Sequence, residues 1–459
     1  MNQKYIQHLY RRLGFGIQPN DLHKLLKLKR KEVVNNLFKA SKNITPLELD
    51  TSELKSLMGD SYITAKPNIQ KIQKLSRLST LKLNHAWIER LTSPKELIRE
   101  KMTLFWANHF VCEDNNFIYT QNFQNTLRKH ALGNFRDFVV AVSKQAAMTK
   151  YLNTKQNKKQ KPNENFAREL MELFTLGVGH YTEQDIKESA KAFTGYSHNM
   201  QGGFVFRRRE HHEGQKTFFG KTGNFNGDDI IDIILEQRRC AEYICEKVYR
   251  YFVNDTLNKS HVQAMTDVFY KDYNIEKLMH FVCTSNWFYN EENIGTKIKS
   301  PIEFLVGIKT IVPVVFKNER QLLNLQRLMG QILLDPPNVA GWKGGQNWID
   351  SNTITLRLKL PSLLLNNSYI SNSRTGQVDN QIKEKKHFFK RNYGGRFNVE
   401  SNWNYFNQQF INVNINELDS YILACNLSPV AQGYLNTLEK VSKQEYCVQL
   451  MSLPEYQMC

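Results

Sequence analysis

What this 459-residue sequence has little of narrows its possibilities first. The longest clean apolar run covers only residues 311–316, far short of the roughly 20 residues that a bilayer-spanning helix needs. Its seven cysteines are odd in number and no two are spaced Cys-x-x-Cys, which argues against a disulfide scaffold and the usual structural zinc sites. Residues 1–8 lack the apolar core and cleavage site of a secretory signal, and Arg11-Arg12 lead into Leu-Gly-Phe-Gly rather than an apolar stretch. The expected compartment is therefore the cytoplasm; the alternative is the envelope or periplasm, reached by export with a signal-bearing partner. No Gly-x-x-x-x-Gly-Lys-[Ser/Thr] phosphate loop, Gly-x-Gly-x-x-Gly, His-Glu-x-x-His or Gly-x-Ser-x-Gly motif occurs. Nucleotide hydrolysis, nicotinamide chemistry, zincin proteolysis and the elbow-type serine hydrolases are poorly supported.

What is present is a core and a charge. Hydrophobic residues make up 41% of the chain and charged ones 23%, enough to bury a sizeable interior over about three domains' length. Lys and Arg number 62 against 44 Asp and Glu, a formal net charge of +18. Such a surplus suits an anionic polymer or anionic surface. Lys and Asn abound along the whole chain, however, so composition alone also explains it. No helix-turn-helix, zinc finger or aromatic RNA-binding signature accompanies the charge, which leaves nucleic acid disfavoured.

The periodicity predicts a mainly α fold: a large multi-helix orthogonal bundle with a small β-hairpin insertion. Its expected divisions are an N-terminal helical region (1–149), a basic linker or loop (150–161), a central helical core (162–365), a polar flexible insertion (366–400) and C-terminal helices (401–459). Residues 17–40 read as one basic amphipathic helical region. Ser93-Pro94-Lys95-Glu96 and Thr182-Glu-Gln-Asp185 read as capping boxes, and Pro162-Asn163 as the start of a helix that stops at Gly177-Val-Gly179. Segments 203–207 and 215–219 read as the two strands of one hairpin. The stripe Ala241, Ile244, Cys245, Val248 and Phe252 reads as a buried helix face. Residues 335–345 are too rich in Gly and Pro for a helix. Segments 283–288 and 451–456 both place a small polar residue before an aromatic at a helix end.

Four constellations could carry chemistry. On the 163–176 helix, capped by Asn163, Glu164, Arg168 and Glu172 stand four apart with Glu169 beside them, opposite Phe166, Leu170, Leu173 and Phe174. Three carboxylates and a guanidinium suit an acid–base or metal site; they equally suit a solvated face of ion pairs worth about 0.2–0.5 kcal/mol each. In the hairpin turn, His211 or His212 can serve as base or ligand, with Lys216 to hold an anion, or the turn is simply a polar tip. Residues 224–232 carry the oxygens that calcium favours, but the Gly falls at the fourth place and Leu235 at the twelfth, so a helix cap is the better reading. Trp342, on a Gly-bounded loop, is either a stacking platform or a core plug. His109, among Phe105, Trp106 and Phe110, reads as a satisfied core histidine. The candidates are thus Glu164, Glu169, Glu172 and His211 for catalysis, and Asn163, Arg168, Lys216 and Trp342 for ligand binding. No metal ligand is assigned and no cofactor is implied by motif, although the carboxylates are compatible with a divalent metal.

Several blocks resemble the bacterial domain-of-unknown-function 1800 family. They are Arg12-Leu-Gly-Phe-Gly16, residues 101–110, residues 163–177, Tyr181-Thr-Glu-Gln-Asp185, Thr194-Gly195, His211 with Gly214 and Lys216, Gly227-Asp228-Asp229, Pro337-Asn338 with Gly341-Trp342, and Leu453-Pro-Glu-Tyr-Gln457. The resemblance runs in order through nearly the whole chain. His212 and Phe174 depart from it, standing where the family commonly has Asp and often has His. The resemblance implies no accepted catalytic set. It does imply a partner, an envelope protein similar to sulfatases and alkaline phosphatases that is often encoded nearby. The leading expectation is an accessory or scaffold helical protein that binds a partner protein or an anionic polymer. The alternative is a hydrolase or transferase whose carboxylate/His site joins helix 163–176 to the turn at 209–216.

Overall fold

Ala241, Ile244, Cys245, Val248 and Phe252 do form the buried face of a helix, Arg238–Phe252. This computed structural model describes residues 1–60, 62–366, 397–438 and 441–459, so the insertion expected at 366–400 lies almost wholly outside the described residues. The described chain is mainly helical, with three small two-stranded antiparallel sheets. Neighbours in sequence pack as neighbours in space: Leu97–Ala107 on Phe117–His130, and Arg238–Phe252 on Lys259–Phe269. Long-range packing sets Ile69–Thr92 against Pro301–Ile311 and Glu319–Met329, and Ser351–Leu365 against Lys443–Met451. One apolar cluster runs through them all, from Leu9 through Trp106 and Phe138 to Tyr456. No helix among the described residues is long and apolar enough to cross a membrane.

Helix starts follow local chemistry where the capping side chain is free to act. Thr182 and Asp185 exchange capping bonds at the head of Glu183–Ala192, and Asn226 and Asp229 do so for Gly227–Glu236. The pattern Ser-Pro-x-Glu occurs twice with opposite outcomes. At Ser300-Pro301-Ile302-Glu303, Ser300 Oγ accepts the Glu303 N–H at 3.2 Å and Glu303 accepts the Ser300 N–H at 2.7 Å. At Ser93-Pro94-Lys95-Glu96 the expected box is absent. Ser93 instead ends the Ile69–Thr92 helix, Glu96 accepts from Thr45 Oγ1 at 2.7 Å, and the next helix begins only at Leu97. Residues 17–40 likewise form two helices, Pro19–Leu25 and Arg30–Ala40, rather than one.

The largest correction concerns the β segment. Strand β1 (Tyr196–His198) pairs with β2 (Phe204–Phe206), and β3 (Lys216–Phe218) with β4 (Lys221–Gly223). The two expected strands therefore belong to different hairpins. Gly220-Lys221-Thr222, which matches the end of a phosphate loop, lies at the second turn. The third sheet joins β5 (Val314–Phe316) to β6 (Val399–Ser401). Residues 150–161 are anchored rather than free. Asn157 is buried, its Nδ2 donates to Ala190 O at 2.8 Å, and its carbonyl accepts the Gly195 N–H at 3.0 Å.

Candidate functional site

Asn163 does not cap the strip helix. Glu164 occupies that position without a side-chain bond, and Asn163 Oδ1 accepts the Asn165 N–H at 3.1 Å in the bend before it. One α turn, Asn165–Glu169, passes into a π-helical turn, Leu170–Thr175, whose wider winding breaks the four-residue spacing of the acids. Arg168 keeps Glu164 at 3.3 Å, but its fork grips both oxygens of Glu183 at 2.9 Å, at the start of the next helix. Glu172 accepts from Tyr181 Oη at 2.7 Å. Glu169 has no hydrogen-bond partner among the described residues; burial first, then the charge of Glu172, pushes its carboxyl above the ordinary range. The carbonyls of the π turn are met by outside donors that the sequence did not reveal. Tyr243 Oη and Lys247 Nζ reach Leu173 O at 3.1 and 3.2 Å. Burial lowers the Lys247 ammonium to about 8.

His109 is indeed a core histidine, 3% exposed, with Nε2 at 3.0 Å from Phe174 O. It is only half satisfied, since its Nδ1 is buried with no partner among the described residues. Trp342 is buried too. Asn108 holds it through the main chain, accepting its N–H at 2.8 Å and donating to its carbonyl at 3.1 Å. Gly341 (φ +77°) makes that clasp possible, because a Cβ there would fall 2.3 Å from Asn108 Oδ1. Residues 224–232 spend their oxygens on the Asn226 cap and on ion pairs of Asp228 with Lys144 (2.6 Å) and of Asp232 with Arg136 (2.8 Å), as the helix-cap reading expects.

His211 sits at the end of a short turn, Arg208–Glu210, between the two hairpins. It is 8% exposed. Its Nδ1 donates to Thr194 O at 2.9 Å and its ring packs on Phe206, centroids 5.0 Å apart. Burial first, then Lys216 and His212, lowers its pKa and outweighs the Thr194 bond, so the imidazole is neutral at pH 7. Lys216 is 1% exposed and donates to Gly214 O and Asn224 Oδ1, both at 3.0 Å, closing the β3–β4 hairpin from within. The described bonds of the strip run to Glu183 and Tyr181. Those of the turn run to Thr194, Gly214 and Asn224. The two groups share no hydrogen bond or ion pair among the described residues. Nor do three or more His, Cys, Asp or Glu side chains gather there as a metal would require.

What the turn does face is the lysine-rich loop. Lys159 N–H donates to Glu210 O at 2.8 Å, docking one main chain on the other. The two enclose a hollow of about 630 Å³ lined by Lys159, Arg208, Arg209, His211, His212 and Glu213. Gly195 (φ +81°) permits the approach, since a Cβ there would lie 2.7 Å from Arg207 O. Lys158 and Arg207 share Glu210 at 3.3 and 3.6 Å, and Arg208 meets Glu213 at 3.1 Å. Lys159 and Arg209 have no ion-pair partner among the described residues. The field reaches inward: burial, then Lys155, Lys150 and Arg207, lowers the His198 imidazole to about 4. Phe206, whose ring meets His211, and Phe204, whose ring faces Lys144, are 43% and 37% exposed on β2.

In comparison with known proteins, the family model described as protein of unknown function (DUF1800) matches residues 8–458, nearly the whole chain. No curated protein and no solved structure matches it.

Proposed function

The chain belongs to the DUF1800 family, and we propose that it is an accessory helical protein that holds an anionic polymer in the basic hollow. The observation that carries this reading is the Lys159–Glu210 main-chain bond, which brings two separate basic segments around one concavity. Lys159, Arg208 and Arg209 line it against Glu213, and the same two segments also carry Lys155, Lys158, Lys161 and Arg207 against Glu210. Cations so placed bind phosphate, sulfate or carboxylate groups mainly by releasing counterions. Phe204 and Phe206 offer faces on which sugar rings can rest. The test is binding of long-chain polyphosphate and of polygalacturonate across a salt series. Affinity should fall steeply with salt, and Lys159→Ser, Arg208→Ser and Arg209→Ser should each reduce the log–log slope by about 1. Wild-type binding by the triple variant would refute the assignment.

The accessory role includes the envelope partner similar to sulfatases and phosphatases that the resemblance implies; the cytoplasm is the expected location unless export with that partner carries the chain to the envelope. Affinity purification from fractionated cells checks both: a stoichiometric second protein in the envelope fraction supports them. A second reading, a hydrolase or transferase, is favoured by the raised carboxyl of Glu169 beside Glu172. It predicts a turnover that Glu169→Gln abolishes while the melting temperature holds.

A further inference from the structure

A second hollow, of about 620 Å³, opens where the first helix, Gln3–Arg12, meets residues 419–427. Gln3, Gln7 and Arg11 follow one another at four-residue steps along the helix and all line it, with Lys4 and His8 beside them. Leu423 and Leu427 supply apolar wall. Gln7 is 6% exposed, yet its carboxamide has no hydrogen-bond partner among the described residues. That carboxamide opens on the hollow, where a ligand can reach it. Arg11 spends Nη2 on Tyr421 O at 2.9 Å, and its other N–H groups have no protein partner among the described residues. His8 Nε2 lies 3.0 Å from Phe288 O and must donate to it, which leaves Nδ1 as an acceptor.

Buried basic groups stand near Arg11, one of them, Lys299, with its ammonium lowered by burial to about 7. Arg12, Lys299 and Arg357 are buried, and their recorded bonds to protein go to neutral groups: Asn293 O at 2.7 Å, Tyr456 O at 2.7 Å and Gln457 Oε1 at 2.8 Å among them. Arg12 Nε and Arg357 Nη1 have no partner at all among the described residues. Cys459, which lines the hollow, favours the charge of Arg12 and Lys299 more than Glu303 does, and Glu303 and Asp255 are paired with Lys101 and Lys297. The carboxylate lining the hollow itself is Asp419, which accepts the Ser420 N–H at 2.8 Å.

We infer that this hollow binds a small organic anion, its phosphate or carboxylate on Arg11 and Gln7. An oxyanion there would accept the unused guanidinium and carboxamide hydrogens together. Asp419 would meet a hydroxyl or ammonium group elsewhere on the same molecule. The assignment does not rest on the basic hollow.

Equilibrium dialysis of the full chain tests it, with radiolabelled inorganic phosphate and radiolabelled acetate as separate probes at fixed ionic strength. All proteins carry Arg208→Ser and Arg209→Ser, which silences the other hollow. Retention of about one equivalent of either anion supports the inference, and the better-held probe identifies the acidic group. Gln7→Leu and Arg11→Gln should each weaken retention at least tenfold, about 1.4 kcal/mol. Gln7→Leu gives up no hydrogen bond to protein among the described residues and keeps the side chain's bulk, so it should melt like its parent; a matching melt shows that its loss of binding is not a loss of fold. No retention of either anion, or equal retention by both variants, overturns the inference.

Discussion

Lys159, Arg208 and Arg209 stand exposed around one hollow, whereas Arg12, Arg128 and Arg357 are sealed inside at 2%, 1% and 0% exposure. The interior cations are cross-links. Arg99 donates to the carbonyls of Ser41, Asn43 and Arg128, so one guanidinium ties the Leu97–Ala107 helix to a loop and to a neighbouring helix. Arg128 grips buried Glu100 at 2.6 and 3.2 Å. The exposed cations bind little of the protein, and surface pairs such as Arg208–Glu213 are worth about 0–1 kcal/mol. A net charge of +18 therefore sums two populations, one spent on architecture and one left exposed to solvent.

The sharpest way to break this comparison is Arg128→Ala. It leaves Glu100 in the interior with the Trp87 indole N–H at 3.3 Å and, as its one remaining cation, Arg90 at 3.7 Å, and should cost about 3–5 kcal/mol by urea denaturation; a loss below about 1 kcal/mol would erase the distinction. Next comes acid. Burial would raise the Glu303 carboxyl, but the Lys101 ammonium and the Ser300 N–H overcome it and pull the pKa to about 2, against an ordinary 4.5. A depressed carboxyl stabilises the fold above its unfolded value and loses that contribution as pH falls from 4.5 toward 2. Denaturation at a series of pH values should show this slope in the wild type and a flatter one in Glu303→Gln.

Lys299 sharpens the contrast from the alkaline side. Burial, then Arg11 and Arg357, lowers its ammonium from 10.5 to about 7. Between those values the unfolded chain holds a proton that the folded one has released, so stability should rise with pH across that window. Lys299→Met should abolish the rise in the same assay. The smallest effect belongs to the surface: Lys159→Ala and Arg209→Ala should each change stability by no more than about 0.5 kcal/mol in thermal melts.

Local chemistry was readable and non-local choice was not. Thr182 and Asp185 announce a helix because both partners lie within one turn of chain. The same logic fails at Ser93, since Glu96 is claimed by Thr45, a residue 51 positions away that no window around the motif contains. Segments 203–207 and 215–219 are strands, as their composition suggests, but each pairs with a segment that alternation did not mark. The acids of the strip were found as residues. Their spacing was misread because a π turn follows from outside donors such as Lys247 and Tyr243, which no helical wheel displays. Gln7 and Arg11 carry no signal in the sequence, because an amide and a cation on a short helix look ordinary; among the described residues Gln7 has no hydrogen-bond partner and Arg11 meets Tyr421 O alone.

The loop and turn that frame the basic hollow meet through peptide groups: Gly195 N–H to Asn157 O, Arg207 N–H to Gly195 O, and Lys159 N–H to Glu210 O. Every residue but proline owns such groups, so the frame is indifferent to nearly all the side chains it displays. Gly195 must be kept, and so must buried Asn157, whose side chain donates to Ala190 O and accepts the Asn163 N–H. A lineage can exchange lysine for serine or arginine for glutamate along these segments and inherit the same socket with a different taste in ligands.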